Sequence, residues 1–175
     1  MTDALLNSEL SAYASHALAA DLAEILQQKS WQMATAESCT GGLIAAACTD
    51  LAGSSLWFER GFVTYSNASK IELLGVDAAL IERHGAVSEA VARAMAQGAL
   101  AHSHAQAAVA VTGVAGPSGG SADKPVGTVW LGWATPAGVV TQKRHFDGDR
   151  AAVRQATVRY ALRRLAELLT PLAPR

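Results

Sequence analysis

Apolar residues recur every three or four positions over residues 8–29. Leu10, Tyr13, Ala14, Ala17, Leu18, Leu22, Ile25 and Leu26 line one face, and Asp21, Glu24, Gln27 and Gln28 fall outside it, the period of an amphipathic helix. A short strand is expected at 31–36, then a second helix over 39–51 closed by Ala52-Gly53. The run WFERGFVTY, 57–65, has the aromatic and β-branched residues of a strand, with Gly61 as a candidate bulge. Short helices follow at 68–74 and 77–83, and Ser88 is a good N-cap for a helix reaching residue 101.

The unbroken apolar run 107–111 predicts a buried central strand. A glycine-rich loop occupies 113–125, and strands at 128–134 and 139–146 are joined as a hairpin through Pro136, Ala137 and Gly138. Asp149 caps a last helix to residue 169, with Val153, Ala156, Val158, Ala161, Leu165 and Leu168 facing in. Helices alternate with the first three strands and a hairpin comes last. That order predicts an α/β fold, three-layer α/β/α, around a mixed, mostly parallel sheet of about five strands. No repeat or linker interrupts it, so one domain over residues 1–175 is expected.

Composition narrows the function. Half of the 175 residues are hydrophobic and the formal net charge is −1, which argues against a nucleic-acid surface and against disorder. No apolar run is long enough to span a bilayer, and Asp3 and Glu9 stand where a signal peptide would be basic. Cys39 and Cys48 are too few for a disulfide framework. A cytoplasmic protein without membrane or nucleic-acid partners is the expectation.

Three segments carry candidate chemistry. In TAESCTGG, Ser38 falls where a strand hands over to a helix, whose first turn offers unpaired N–H groups and the positive end of a dipole. The plain alternative is that Ser38 or Thr40 caps the helix. Gly41-Gly42 weighs against pure capping, because two glycines in a first turn cost about 1 kcal/mol each and suggest close approach by a ligand or backbone. A serine needs a base. None of His16, His84, His102, His104 and His145 sits beside a motif-like segment, and His102 and His104 point to different faces of a helix, which argues against a metal site there.

Of fourteen lysines and arginines only Lys29, Lys70, Lys124 and Lys143 are lysine. Arginine cannot give up its proton, so a retained lysine is a candidate base. Lys70 in TYSNASK follows a strand, and desolvation there would lower its pKa towards neutrality; a solvated surface lysine is the alternative. The third segment, 112–128, can fold its N–H groups around an anion, yet it is neither a P-loop nor a dinucleotide fingerprint. Arg150 in FDGDR is either a phosphate ligand or a helix-surface arginine.

Taken together, TAESCTGG, AGSSLWFERGFVTYSNASK, HGAVSE, VTGVAGPSGGSADKPVGTVW and FDGDR closely resemble the CinA C-terminal domain family, from Trp31 to the last helix. The resemblance implies the same three-layer fold and, in free-standing members, nicotinamide-nucleotide amidase activity: hydrolysis of nicotinamide mononucleotide (NMN) to nicotinate mononucleotide and ammonia in NAD recycling. It implies a serine nucleophile with a lysine and a tyrosine, here Ser38, Lys70 and Tyr65, and needs no metal or cofactor. Larger members carry an extra N-terminal domain, for which this chain is expected to have no room.

Under that resemblance the oxyanion falls to backbone N–H groups near Cys39–Gly42 or in the Gly113 loop. Thr40, Gly41, Gly42, Asn67, Thr112, Gly113, Gly116, Gly119, Gly120 and Arg150 are the candidate substrate-binding residues. The loop and Arg150 are assigned to the ribose-phosphate end, and a homo-oligomer is expected. Two rivals stand beside this: a non-catalytic nucleotide-binding or regulatory module, and an enzyme whose nucleophile is Cys39, acidified at a helix N-terminus.

Overall fold

The strands β1 (Met33–Glu37) and β3 (Ala107–Gly113) are covered on both faces, as central parallel strands must be. Alternation then divides their side chains between two cores. Val109 and Val111 join Met33, Leu131 and Trp133 on one side, whereas Ala108 and Ala110 join Ala36 on the other. The computed structural model describes residues 3–170, with side chains from residue 14 onward, so Leu10 and Tyr13 of the expected first stripe lie outside the described side chains.

The five-stranded sheet runs β2-β1-β3-β4-β5, with β2 at Phe58–Val63, β4 at Thr128–Thr135 and β5 at Gly138–His145. β1 lies parallel to β2 and to β3, and β3, β4 and β5 are antiparallel in turn. Helices α1 (Asp3–Gln28), α2 (Leu43–Thr49) and α6 (Arg150–Leu169) cover one face. Helices α3 (Asn67–Leu74), α4 (Ala78–His84) and α5 (Glu89–Ala101) cover the other. On that face small residues let α5 approach closely: a Cβ on Gly98 would lie 2.1 Å from Leu74 O, and one on Gly132 would lie 2.6 Å from Ala92 O.

Two local expectations change. The second helix begins at Leu43, not at 39, because Gly41 and Gly42 take left-handed φ of 59° and 100°. The bulge on β2 falls at Glu59, skipped between the Met33–Phe58 and Ala34–Arg60 pairs. Gly61 is instead a close approach, its missing Cβ being 2.9 Å from Thr35 Oγ1 and 3.0 Å from Ala45 Cβ. A 3₁₀ turn at Ser54–Leu56 fills the approach to β2.

The chain leaves β1 towards α2 on one face and returns to β3 from α5 on the other. The carboxyl ends of β1 and β3 therefore flank a switch in winding direction, where open α/β sheets place ligands. Ser38 stands there: its N–H donates to Val111 O at 3.1 Å, and Thr64 N–H donates to Glu37 O at 2.8 Å.

Candidate active site

Lys70 reaches this edge from α3. Helical side chains lean towards the N-terminus of their helix, so its stem runs back over the residues preceding α3. Its Nζ donates to Thr64 O at 2.8 Å, to Ser66 O at 3.4 Å and to Ser38 Oγ at 3.2 Å. The side chain is 1% exposed, and burial pushes its pKa below the ordinary 10.5, partly opposed by Cys39. An ammonium has three N–H bonds and no acceptor. With two of them fixed on backbone carbonyls, loss of the third proton leaves a lone pair directed at the Ser38 hydroxyl. A neutral amine held against a hydroxyl is the arrangement a Ser-Lys nucleophile requires.

Cys39 is poorly suited to compete as the nucleophile. It is buried, and burial, with a smaller contribution from Glu37, pushes its thiol up to about 12. A thiol that stays protonated is unreactive.

Tyr65 is 60% exposed, and among the described residues its phenol bonds only to Arg150, whose Nη2 donates to it at 2.9 Å. The structure thus brings Ser38 and Lys70 together and turns the Tyr65 hydroxyl towards the opposite wall. Arg150 also donates through Nη1 to Gly116 O at 2.9 Å, tying the glycine-rich loop to α6.

The remaining candidates separate by what holds them. Thr40 is fully buried, and its hydroxyl donates to Glu37 at 2.6 Å. Thr112, also buried, donates to Ala86 O at 2.8 Å. Gly41 and Gly42 serve left-handed turns before α2, so close approach by a ligand is not needed to explain them. Gly113 and Gly116 pack against β4 and Val126, and Gly120 packs on the backbone of residues 124–126. Gly119 is exposed in the same loop, and Asn67 is exposed at the start of α3. Lys124 Nζ fastens this loop to His84 O at 3.0 Å.

Two residues of the site were not singled out from sequence. Glu37 accepts four hydrogen bonds around the bend that follows it; its signal was a charge at the end of an otherwise uncharged strand. Arg154 donates to Thr40 O at 2.7 Å, and its Nε is buried without a hydrogen-bond partner among the described residues. It lies four residues after Arg150, hence on the same face of α6. Both arginines line an open cleft of about 620 Å³ with Ala115, Pro117, Val126, Gly148, Asp149 and Ala151, a size usual for small-molecule sites. Arg154 joins that cleft to the Ser38 bend.

Comparison with known proteins fits this geometry. The family model described as the CinA C-terminal domain matches residues 15–169. The chain belongs to the CinA C-terminal domain family. Among curated members of that family, a protein of Enterobacter agglomerans named nicotinamide-nucleotide amidohydrolase PncC is 59% identical over 145 residues, 82% of this chain and 88% of the relative. A protein of the same name from Escherichia coli K12 is 50% identical over 149 residues, 85% of this chain and 90% of the relative. Among solved structures, the competence/damage-inducible protein CihA from Agrobacterium tumefaciens superposes with a TM-score of 0.87 at 47% identity, covering 90% of this chain and 96% of that one. The mixed sheet with helices on both faces is therefore the CinA superfamily architecture.

Proposed function

We propose that this protein is a nicotinamide-nucleotide amidase that hydrolyses the carboxamide of NMN to nicotinate mononucleotide and ammonia. The observation that carries the reading is the 3.2 Å contact between buried Lys70 Nζ and Ser38 Oγ. Relatives named nicotinamide-nucleotide amidohydrolase, at 50–59% identity, supply the substrate class.

In this reading neutral Lys70 takes the Ser38 proton as Oγ attacks the carboxamide carbon, and the carbonyl electron pair moves onto oxygen. Collapse of that tetrahedral species breaks the C–N bond, and Lys70 returns the proton to the departing nitrogen, which leaves as ammonia. Lys70 then deprotonates a water that attacks the ester, and Ser38 leaves with the proton. Gly42 N–H is committed to Glu37 and Gly41 N–H to Ser38 O, so of the 39–42 amides the oxyanion falls to Cys39 and Thr40. Arg150 and Arg154 in the 620 Å³ cleft suit the phosphate of the mononucleotide. Tyr65, held on Arg150, borders the entrance and orients substrate rather than carrying the proton.

The reading includes a single domain, a cytoplasmic location and a homo-oligomer; exposed Leu56 and Val63 beside and on the edge strand β2 support the last, and light scattering tests it. Incubation of the purified protein with NMN, following ammonia and the nicotinate product, tests the activity. Saturable binding of NMN without product would support the nucleotide-binding module instead.

A further inference from the structure

A fully buried carboxylate stands immediately before Ser38. Glu37 Oε2 accepts from Thr40 Oγ1 at 2.6 Å and from the N–H groups of Gly42 and Ile44, each at 3.0 Å; Oε1 accepts from Ala45 N–H at 2.8 Å. A helix start leaves several N–H groups without partners, usually met by a side chain at the N-cap. Gly42 occupies the N-cap of α2 and has no side chain to offer. The carboxylate arrives instead from the strand, so a negative charge of the chain's own already occupies the positive end of α2.

The bend between β1 and α2 is held at each remaining point. Ser38 N–H donates to Val111 O, Gly41 N–H to Ser38 O and Leu43 N–H to Thr40 O, while Arg154 holds the Thr40 carbonyl. Among the described residues, the amides of Cys39 and Thr40 are the two in this bend that donate to no other residue.

We infer that Glu37 is a positioning residue for the nucleophile: by gathering Thr40, Gly42, Ile44 and Ala45 it fixes the bend in which Ser38 Oγ meets Lys70 and the Cys39 and Thr40 amides stay open to the oxyanion. The inference rests on Ser38 being the nucleophile but not on the identity of the amide. As Ser38 Oγ forms its bond, its proton passes to Lys70 and the acceptor's electron pair moves onto the oxygen these amides hold. Donors near that position act only if correctly aimed, and an error of about 1 Å can cost about 100-fold.

The test uses the full chain and two reactions: NMN hydrolysis, and labelling of Ser38 by a fluorophosphonate, whose phosphorus bonds to Ser38 Oγ as fluoride leaves to solvent and the proton passes to Lys70, with no need of NMN. Glu37→Gln sets an NH₂ group against one of the four donors. It is expected to slow both labelling and kcat by about 10- to 100-fold, with KM for NMN within about threefold of wild type. Thr40→Val, which deletes one donor at constant shape, is expected to lose about tenfold, and Thr40→Ser to recover most of that loss. A pure helix cap would lower the melting temperature and leave both rates alone. A folded Glu37→Gln protein that labels at a rate within about threefold of wild type overturns the inference. If that variant does not fold, equal labelling of Thr40→Val and Thr40→Ser overturns it. Wild type that labels at Ser38 but leaves NMN intact removes the substrate reading, and the labelling rates still decide the role of Glu37.

Discussion

Replacing Lys70 by arginine keeps a cation beside Ser38, removes its ability to lose a proton and sets a larger planar head in a buried cage. The cage is defined by Thr64 O at 2.8 Å, Ser38 Oγ at 3.2 Å and Ser66 O at 3.4 Å. A guanidinium placed there presents its N–H groups in one plane and no lone pair to accept a proton. The Ser38 proton then has only water to go to, so the loss should match a whole general-base contribution, about 10²- to 10⁴-fold in kcat. That corresponds to about 3 to 5 kcal/mol of transition-state stabilisation.

Wild type should show the complementary pH dependence. A lysine at the ordinary 10.5 would be neutral in only about 0.03% of molecules at pH 7. Burial lowers the Lys70 value, so kcat/KM for NMN should climb with pH and level off below 10.5. Ammonia release, followed through a coupled reductive amination, measures both quantities. Lys70→Arg with kcat within about tenfold of wild type would refute the assignment of Lys70 as the base.

Other outcomes follow from the same geometry. Cys39→Ala should keep kcat within about threefold, because the thiol is buried and protonated and alanine leaves the backbone amide in place; steady-state kinetics checks this. Arg150→Ala should raise KM for NMN by about 10- to 100-fold while changing little for the dephosphorylated nucleoside, as expected for losing a charge-assisted phosphate contact. Native Lys70 releases its proton more readily than an unfolded lysine. The native state therefore binds fewer protons between its lowered pKa and 10.5, and unfolding free energy should rise with pH across that window; urea titrations should show that increment vanish in Lys70→Met. Gly98→Ala would drive a Cβ to 2.1 Å from Leu74 O, and should cost about 1 to 3 kcal/mol in the same titration.

Elements governed by local pattern were legible from sequence. Ser88 and Asp149 cap α5 and α6 as expected, accepting from Val91 N–H and Ala152 N–H, because short polar side chains before an apolar stripe have few other uses. β3 was readable as a central strand because a run with no polar position must be covered on both faces. The start of α2 was not. The expectation placed a first helical turn at residues 39–42, whereas Glu37 gathers donors up to eight residues ahead, a long-range cap that no short window reveals.

The site divides along the same line. Ser38 and Lys70 were singled out by chemistry and by resemblance, but their contact joins residues 32 positions apart and needed the fold. Arg154 was overlooked because it resembles any arginine on an amphipathic helix until its contact with Thr40 O is seen. Tyr65 carried a family role, yet its phenol meets Arg150, because β2 ends just before it and leaves its ring exposed at the rim.

The proposed cleavage of a nicotinamide nucleotide's amide by Ser38, activated by Lys70, is decided by giving NMN to wild type and to folded Ser38→Ala protein side by side and measuring ammonia and nicotinate mononucleotide together. Wild type should release the two products one for one, and Ser38→Ala should release neither above the no-enzyme rate. Equal release from both proteins would contradict the account.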